Sequence, residues 1–293
     1  MSTPAFDPLR YKALQRHEWG VSAAGWRQHW AIWERAAQHV NVRMIELAHV
    51  DDGHRVLDLA TGLGQSAFTA ARLVGSTGRV IATDVSPQML ALAREEASTL
   101  GLHNIEFREM DAEEPDLPEH TFQAILCRWG LMFLPHLTMA LRKLRRLLVP
   151  GGRFAAIVWG PPERAPALSV PMGIIRQARA LPPSPAGTPG AFSLGDAGLL
   201  ERTFTEAGYT AVHTEWLTVT LAYASVEEFI QERQATSATT RAMLAEVSAP
   251  EQGAIWRAVA AAVRPYATAE GGLQMPNDAL CVVGQSPSST EGR

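Results

Sequence analysis

The sequence contains few cysteines, no excess of basic residues and no long apolar run, and each shortage excludes a class of protein. Only two of the 293 residues are cysteine, Cys127 and Cys281, and their spacing fits neither a disulfide framework nor a Cys-x-x-Cys metal site. Asp and Glu number 30 against 26 Lys and Arg, so the net charge is −4 and no basic field attracts nucleic acid. We therefore expect no structural disulfide, no metal site and no nucleic-acid partner.

Signals for export or membrane insertion are also missing from the sequence. The N-terminal residues MSTPAFDPLRYK lack the apolar core of a signal peptide. The most apolar run, AILCRWGLMFL at 124–134, is too short to span a bilayer and contains Arg128. With 46% apolar and 19% charged residues, the composition is that of a globular protein. We expect a soluble cytoplasmic protein without a membrane span.

The central part of the chain alternates short apolar runs with glycine turns and helix-like segments. The predicted strands are 55–60, 79–84, 104–111, 122–129 and 153–160, with two later strands at 212–222 and 278–285. Helices are predicted after the first, second and fourth strands, and the last of them covers 135–152 and ends at Pro150-Gly151-Gly152. Alternating strands and helices form parallel sheets covered on both faces, so we expect an α/β fold with a doubly wound sheet.

The flanks of this region differ from it in composition. Residues 1–50 are helical in pattern and hold four of the eight tryptophans, Trp19, Trp26, Trp30 and Trp33, at spacings that fit one helix face. We expect this N-terminal segment to form a helical lid on a domain over 51–286. Helical or irregular insertions are predicted at about 161–194 and 225–270, followed by a disordered tail at 287–293.

A glycine turn between the first strand and its helix is a predicted ligand site. The run from Gly62 to Ala67 fits G-x-G-x-x-A, the pattern of dinucleotide sites. Such a turn can hold a ligand because the amides at the N-terminus of the following helix bind anions. Asp58, four residues before Gly62, argues against a pyrophosphate, since two like charges 4 Å apart near a surface repel by about 4 kcal/mol. The same carboxylate favours a ligand with an ammonium and a sulfonium group, as in S-adenosylmethionine.

Two further acids follow the neighbouring strands. Asp84 ends the second strand, where a carboxylate accepts hydrogen bonds from ribose hydroxyls. Asp111 and Ala112 end the third strand and are predicted to meet the adenine edge, with Val85 and Met89 on the purine faces. The carboxyl ends of parallel strands meet at one edge of the sheet, so these residues are predicted to form one site.

The motifs VLDLATGLGQS, IATDVSPQMLALA, FREMDAEEPDLPEHTFQAILCRWGLMFL and LRRLLVPGGRFAAIVW resemble those of class I S-adenosylmethionine-dependent methyltransferases, in particular the ubiquinone/menaquinone C-methyltransferase-like (methyltransferase type 11) group. The resemblance covers about 55–160. It implies a Rossmann-like seven-stranded sheet of order 3-2-1-4-5-7-6 with an antiparallel last strand. It also implies a methionine site formed by Asp58, Ala60, Gly62, Leu63 and Gly64, a ribose site at Asp84, an adenine site at Asp111 and Ala112, and a main-chain contact at Arg128.

The chain departs from this family at several positions. Ala60 and Ser66 stand where family members often have glycine. After the fourth strand, quinone methylases have Phe-Gly-Leu-Arg-Asn, whereas this chain has Trp129-Gly130-Leu131-Met132-Phe133. Replacement of the Arg-Asn pair by Met132 and Phe133 predicts a more apolar acceptor pocket, and Trp129 is a predicted aromatic contact to the sulfonium.

The sequence indicates no catalytic base. His17, His136 and His213 are possible bases, and each also fits a surface or capping position. We expect methyl transfer to carbon or oxygen of a small, largely apolar acceptor. Two alternatives stay open: a protein that binds S-adenosylmethionine without methylation, and a nicotinamide-dependent oxidoreductase. The oligomeric state does not follow from the sequence.

Overall fold

Seven strand-forming runs assemble into one sheet in the computed structural model, which describes residues 6–182 and 187–288. The strands are β1 (Arg55–Leu59), β2 (Arg79–Asp84), β3 (Ile105–Glu109), β4 (Phe122–Arg128), β5 (Leu148–Trp159), β6 (Thr210–Tyr223) and β7 (Leu273–Gln285). Their order is β3-β2-β1-β4-β5-β7-β6, and β7 runs antiparallel to both of its neighbours. The predicted α/β fold class, strand order and orientation of the last strand are confirmed.

Ten α-helices of the described residues surround the sheet. They are α1 (Pro8–Gln28), α2 (Trp30–Leu47), α3 (Gln65–Val74), α4 (Pro87–Thr99), α5 (Leu137–Leu147), α6 (Pro166–Ala178), α7 (Ala197–Glu206), α8 (Val226–Thr236), α9 (Ala238–Leu244) and α10 (Ala249–Ala262). In the described part of the chain, none of them is long and apolar enough to cross a membrane.

The central strands are buried on both faces, as expected for a doubly wound sheet. Four of the five residues of β1 and five of the six residues of β2 are buried. Helix α3 contributes an apolar stripe to the core, in which Ala67, Ala70, Ala71 and Val74 are all at most 2% exposed. Both cysteines are free and buried in this core. In sheets covered on both faces, ligands bind beyond the carboxyl ends of the strands.

One predicted boundary is wrong for a local reason. The helix predicted to continue to 152 ends at Leu147, and β5 begins at Leu148. Pro150 has no N–H for a helix, and Gly151 has a φ of +79° in the left-handed region. The Gly151 amide instead donates to Ser286 O at 3.1 Å, and the Pro-Gly-Gly run forms part of strand β5.

The N-terminal tryptophans lie on two helices rather than one. α1 carries Trp19 and Trp26 and packs on α4 and α8, whereas α2 carries Trp30 and Trp33 and packs on α3, β5 and β6. The helices meet at His29, whose ψ of 13° interrupts the helical geometry. Parts of the predicted segments lie outside the described residues: 1–5 of the N-terminal segment, 183–186 of the insertion and 289–293 of the tail.

Candidate functional site

A cavity lies at the carboxyl ends of β1 to β4, between these strand ends and helices α1 and α2. Its lining residues are Lys12, Gln15, Trp19, Trp26, Trp30, Trp33, Ala60, Thr61, Gly62, Leu63, Gln65, Ser66, Asp84, Val85, Met89, Met110, Asp111, Ala112, Arg128, Trp129, Gly130, Phe133, Leu134 and Pro135. The cavity therefore brings together ten of the twelve predicted site residues. The other two, Asp58 and Gly64, do not line the cavity.

Asp84 connects the end of β2 to the glycine turn. Its Oδ2 accepts a hydrogen bond from the Gly62 main-chain amide at 2.9 Å, and its Oδ1 accepts one from the Ser86 amide at 2.9 Å. The side chain is 7% exposed, and burial raises its pKa above the ordinary value. A half-satisfied carboxylate of this kind keeps free lone pairs for hydroxyl groups in the cavity.

The turn itself depends on left-handed backbone geometry. Gly62 and Gly64 have φ values of +55° and +93°. A Cβ on Gly64 would lie 2.4 Å from the Phe68 ring, so a larger residue would displace the ring. Ala60 also has a positive φ, +50°, which a residue with a Cβ rarely adopts. Glycine adopts this backbone geometry with less strain than alanine.

Asp58 lies under the turn and is 1% exposed to solvent. Its Oδ2 accepts a hydrogen bond from the Thr61 hydroxyl at 2.6 Å, while Oδ1 has no partner within residues 6–182 and 187–288. Burial raises the pKa of this carboxyl to about 7, and both the Thr61 hydrogen bond and the charge of Arg128 oppose that rise. A buried, half-satisfied carboxylate is an unusual cost unless a ligand or water completes it.

Arg128 provides the opposite charge at the end of the adjacent strand β4. Burial lowers the pKa of its guanidinium to about 10, against the favourable charges of Glu34 and Asp58. Its Nη1 is buried and finds no partner in the described chain. Glu34, on α2, itself accepts a hydrogen bond from Gln65. The carboxyl ends of the neighbouring strands β1 and β4 therefore hold one buried acceptor, Asp58 Oδ1, and one buried cationic donor, Arg128 Nη1, that have no partner in the described chain.

Asp111 is held by a lysine that the sequence analysis did not identify. Lys12 Nζ, on α1, lies 2.7 Å from Asp111 Oδ2 and also contacts the Glu113 carboxylate. Asp111 Oδ1 accepts a hydrogen bond from the Glu113 amide at 2.9 Å. The side chain of Asp111 is 35% exposed, so it is the more open of the predicted ligand acids. Lysine occurs in this sequence only at positions 12 and 143, and that rarity is the one signal that marks Lys12.

Aromatic rings form the opposite side of the cavity. Trp26 lies 6.2 Å from Trp19 and 5.0 Å from Trp33 between ring centroids, and Trp19 meets Phe133 edge to face at 5.5 Å. Phe133 replaces the asparagine of the quinone-methylase run and lies in the wall. We call this set, with Trp30 and Trp129, the aromatic wall.

Trp129 is fixed more tightly than the other rings. Its φ is +59°, and its main-chain amide donates to Ile157 O at 2.7 Å. The indole stacks on Trp159 at 4.5 Å with 12° between the planes, and Arg128 Cζ lies over the same ring at 5.0 Å. Trp159 and Arg128 thus cover part of the indole, Trp129 still lines the cavity, and its contact with a sulfonium stays a prediction. Gly130 follows without a Cβ because one there would lie 2.6 Å from Ala60 Cβ.

The three possible histidine bases lie away from this cavity. All three histidines, at positions 17, 136 and 213, are exposed. In the part of the chain that the structure describes, none of them lines the cavity. The titratable groups that do line it are Lys12, Asp84, Asp111 and Arg128. The arrangement favours binding and alignment of a ligand over proton transfer by a histidine.

Comparison with known proteins identifies the central region. Residues 56–152 match a family model described as a methyltransferase domain. The chain is 39% identical over 120 residues to the ubiquinone/menaquinone biosynthesis C-methyltransferase UbiE of Cellvibrio japonicus, covering 41% of this chain and 48% of that protein. UbiE of Pseudomonas fluorescens is 36% identical over 135 residues, covering 46% and 50%. The chain thus spans about half the length of the curated relatives it matches.

Solved structures share the fold over a longer region. YcgJ of Bacillus subtilis has a TM-score of 0.58 at 20% identity and covers 86% of this chain and all of that protein. A [4+2]-cyclase, SpnF, has a TM-score of 0.54 at 23% identity over 88% of this chain and 84% of its own. At these identities the likeness concerns the fold, which the sheet order already indicates.

Proposed function

We propose that this chain, which contains a methyltransferase domain of the class I fold, transfers a methyl group from S-adenosylmethionine to carbon or oxygen of a small, largely apolar acceptor. The observation that carries the proposal is the hydrogen bond from the Gly62 amide to Asp84 Oδ2. Dinucleotide sites use amides of this turn to bind pyrophosphate. Here the Gly62 amide is already paired with Asp84, and the second buried acid, Asp58 beneath the turn, disfavours the negative charge of a phosphate. The turn therefore favours a ligand with a ribose and no phosphate over a nicotinamide dinucleotide.

The strand ends supply groups for the nucleoside part of the cofactor. The carboxylate of Asp84 accepts hydrogen bonds from the ribose hydroxyls, and charge-assisted hydrogen bonds of this kind contribute roughly 1.5–3 kcal/mol each. Asp111 and Ala112 bind the polar edge of the adenine. Val85 and Met89 pack on its faces, which are otherwise exposed to water.

The methionine part of the cofactor fits the two unpaired groups at the carboxyl ends of β1 and β4. An α-amino acid carries an ammonium and a carboxylate on adjacent atoms. Asp58 Oδ1 lacks a donor and Arg128 Nη1 lacks an acceptor within the part of the chain that the structure describes. We assign Arg128 to the carboxylate and Asp58 to the ammonium, which has to reach below the cavity lining to meet Asp58 under the turn. Ala60 and Leu63 then surround the thioether chain. Each assignment converts a destabilising buried polar atom into a satisfied one.

The residues of the chain act in this reaction mainly by position. Bound S-adenosylmethionine supplies an electrophilic methyl group on a positively charged sulfur. The strand-end acids and Arg128 fix both ends of the ligand and so fix the line along which the acceptor approaches. The aromatic wall excludes water from that line and holds an apolar acceptor. Since no histidine lines the cavity in the described chain, the acceptor atom has to be reactive without a strong protein base.

Transfer of a labelled methyl group tests this function directly. Purified protein is incubated with methyl-tritiated S-adenosylmethionine and a panel of phenols, quinols, enols and amines, and extractable label is counted. We expect label in carbon- or oxygen-nucleophilic aromatic acceptors. Cofactor binding without transfer to any acceptor would instead favour a binding protein without methylation. Binding of NADH without binding of S-adenosylhomocysteine would favour an oxidoreductase.

We further propose that the acceptor is a small molecule and that the protein acts in the cytoplasm. The net charge of −4 provides no attraction for nucleic acid, and the two free cysteines are buried and unpaired. An electrophoretic shift with RNA or duplex DNA at low salt tests the first point. A shift that disappears with rising salt would contradict it.

A further inference from the structure

The indole N–H of Trp129 is the unusual group of the aromatic wall. Trp26 Nε1 donates to Thr236 O at 3.1 Å, and Trp33 Nε1 donates to Glu232 Oε1 at 2.8 Å. Trp129 Nε1 is equally buried but has no acceptor among residues 6–182 and 187–288. A buried donor without an acceptor is destabilising unless a ligand completes it.

The position of the ring leaves its edge as the surface that can serve a ligand. Trp159 stacks on the ring at 4.5 Å, and the guanidinium of Arg128 lies over it at 5.0 Å. Trp33 meets it edge to face at 5.7 Å. Trp129 nevertheless lines the cavity. Nε1 is the one polar atom of an indole, so a ligand that approaches its edge finds a hydrogen-bond donor there.

The fixed backbone around Trp129 makes this donor a positioned group. A non-glycine residue with φ of +59° is strained, and the hydrogen bond from its amide to Ile157 O holds it in that conformation. The nearby guanidinium adds positive potential. Both features suit an oxygen with partial or full negative charge rather than a second donor.

We propose that Trp129 Nε1–H binds an oxygen of the methyl acceptor, and that the acceptor is a flat, largely apolar molecule bearing such an oxygen. This inference rests on the proposed function and assigns the acceptor side of the same cavity. The rings of the aromatic wall pack on the flat part, and the indole N–H sets which edge of the acceptor turns toward the strand ends. Specificity for an oxygen-bearing acceptor then depends on one nitrogen atom.

Trp129→Phe tests the proposal because phenylalanine keeps a ring for stacking on Trp159 and removes the N–H. The probes are 2-naphthol and naphthalene, which differ by one hydroxyl, titrated calorimetrically into the full chain with saturating S-adenosylhomocysteine. In the unaltered protein we expect 2-naphthol to bind about tenfold more tightly than naphthalene, as one net hydrogen bond predicts. In Trp129→Phe we expect this ratio to fall to about one, with naphthalene affinity unchanged.

Two controls separate a specific loss from misfolding. Trp216→Phe makes the same change on the exposed outer strand β6, where the side chain is 41% exposed, and is expected to keep the ratio. S-adenosylhomocysteine affinity is measured for every variant, so that the two probes are always compared at saturating cofactor product. An unchanged ratio in Trp129→Phe overturns the proposal, and so does a loss of affinity for naphthalene and 2-naphthol alike. Failure of the unaltered protein to bind S-adenosylhomocysteine contradicts the proposed function instead.

Discussion

The two sides of the cavity are built from different parts of the chain and by different forces. The strand-end side comes from β1 to β4 and the loops after them, and its acids are held by main-chain amides and nearby hydroxyls. The helical side comes from α1 and α2. α1 is joined to the strand-end side by ion pairs between Lys12 and Asp111 and between Arg16 and Glu109, and by contacts between aromatic rings.

This difference suggests a division of labour. Main-chain hydrogen bonds inside a buried sheet edge give fixed geometry, which suits a ligand that is the same in every turnover. Partly exposed ion pairs contribute little and weaken with salt, so they add little to the attachment of α1 to the strand-end side. We expect the strand-end side to determine cofactor affinity, and the helical side to determine ligand exchange and acceptor choice.

The largest expected effect concerns Asp84. Asp84→Ala removes the proposed acceptor of the ribose hydroxyls and leaves the Gly62 amide without the Asp84 carboxylate, so we expect S-adenosylhomocysteine affinity to fall by about 100-fold or more. Calorimetry measures this loss. Asp116→Ala, which removes an exposed acid after β3, is the matched control and should have no effect. Equal affinities for the two variants would contradict the assignment of the ribose site.

The pH dependence of cofactor affinity tests Asp58. With a pKa of about 7, this carboxyl is largely protonated at pH 5.5 in the free protein and only about half ionised at pH 7. The ionised form binds the ammonium group, so affinity should rise about tenfold from pH 5.5 to 7. Asp58→Asn should bind weakly, with a flat profile over that range. A flat profile in the unaltered protein would show that Asp58 does not titrate against the ligand.

A smaller effect is expected at the junction of the two sides. Lys12→Met removes the ion pairs from α1 to Asp111 and Glu113, and we expect faster release of S-adenosylhomocysteine, by about three- to fivefold. Lys143→Met is a close control because Lys143 is the second lysine, pairs with Glu114 and lies on α5. Stopped-flow release rates at low and high salt measure both. Equal release rates for the two variants would show that the ion pairs of Lys12 do not slow the release of S-adenosylhomocysteine.

The smallest effect concerns backbone strain under the cofactor. Ala60 has a φ of +50°, and glycine at this position removes the strain but adds freedom to the unfolded chain. We expect Ala60→Gly to stabilise the fold by about 0.5–1 kcal/mol, measured by urea unfolding. Ala67→Gly, in the regular helix α3, should destabilise by a similar amount. Destabilisation by both changes would mean that the strain at Ala60 is relieved by its surroundings.

The strand-end side could be predicted from sequence because its signals are local. A strand, a turn and an acid within a few residues define each part, and the order of parallel strands brings the parts together. Asp84 and the glycine turn were therefore identified together. The hydrogen bond between Gly62 and Asp84 was not predicted, because it depends on how two loops 22 residues apart approach each other.

The helical side could not be predicted to the same depth, because its contacts join distant segments. Lys12 and Asp111 are 99 residues apart, and no pattern near either indicates the other. The tryptophan spacing predicted one helix face, whereas the break at His29 distributes the rings over two helices. Helical periodicity describes one element at a time and carries no information on how two elements pack.

A crystal structure of the protein with S-adenosylhomocysteine tests the central claim most directly. The account predicts ribose hydroxyls within hydrogen-bond distance of Asp84, the amino group at Asp58 Oδ1 and the carboxylate at Arg128 Nη1. It also predicts that the sulfur faces the aromatic wall. A ligand bound with its ribose away from Asp84, or its amino acid part away from both Asp58 and Arg128, would contradict it.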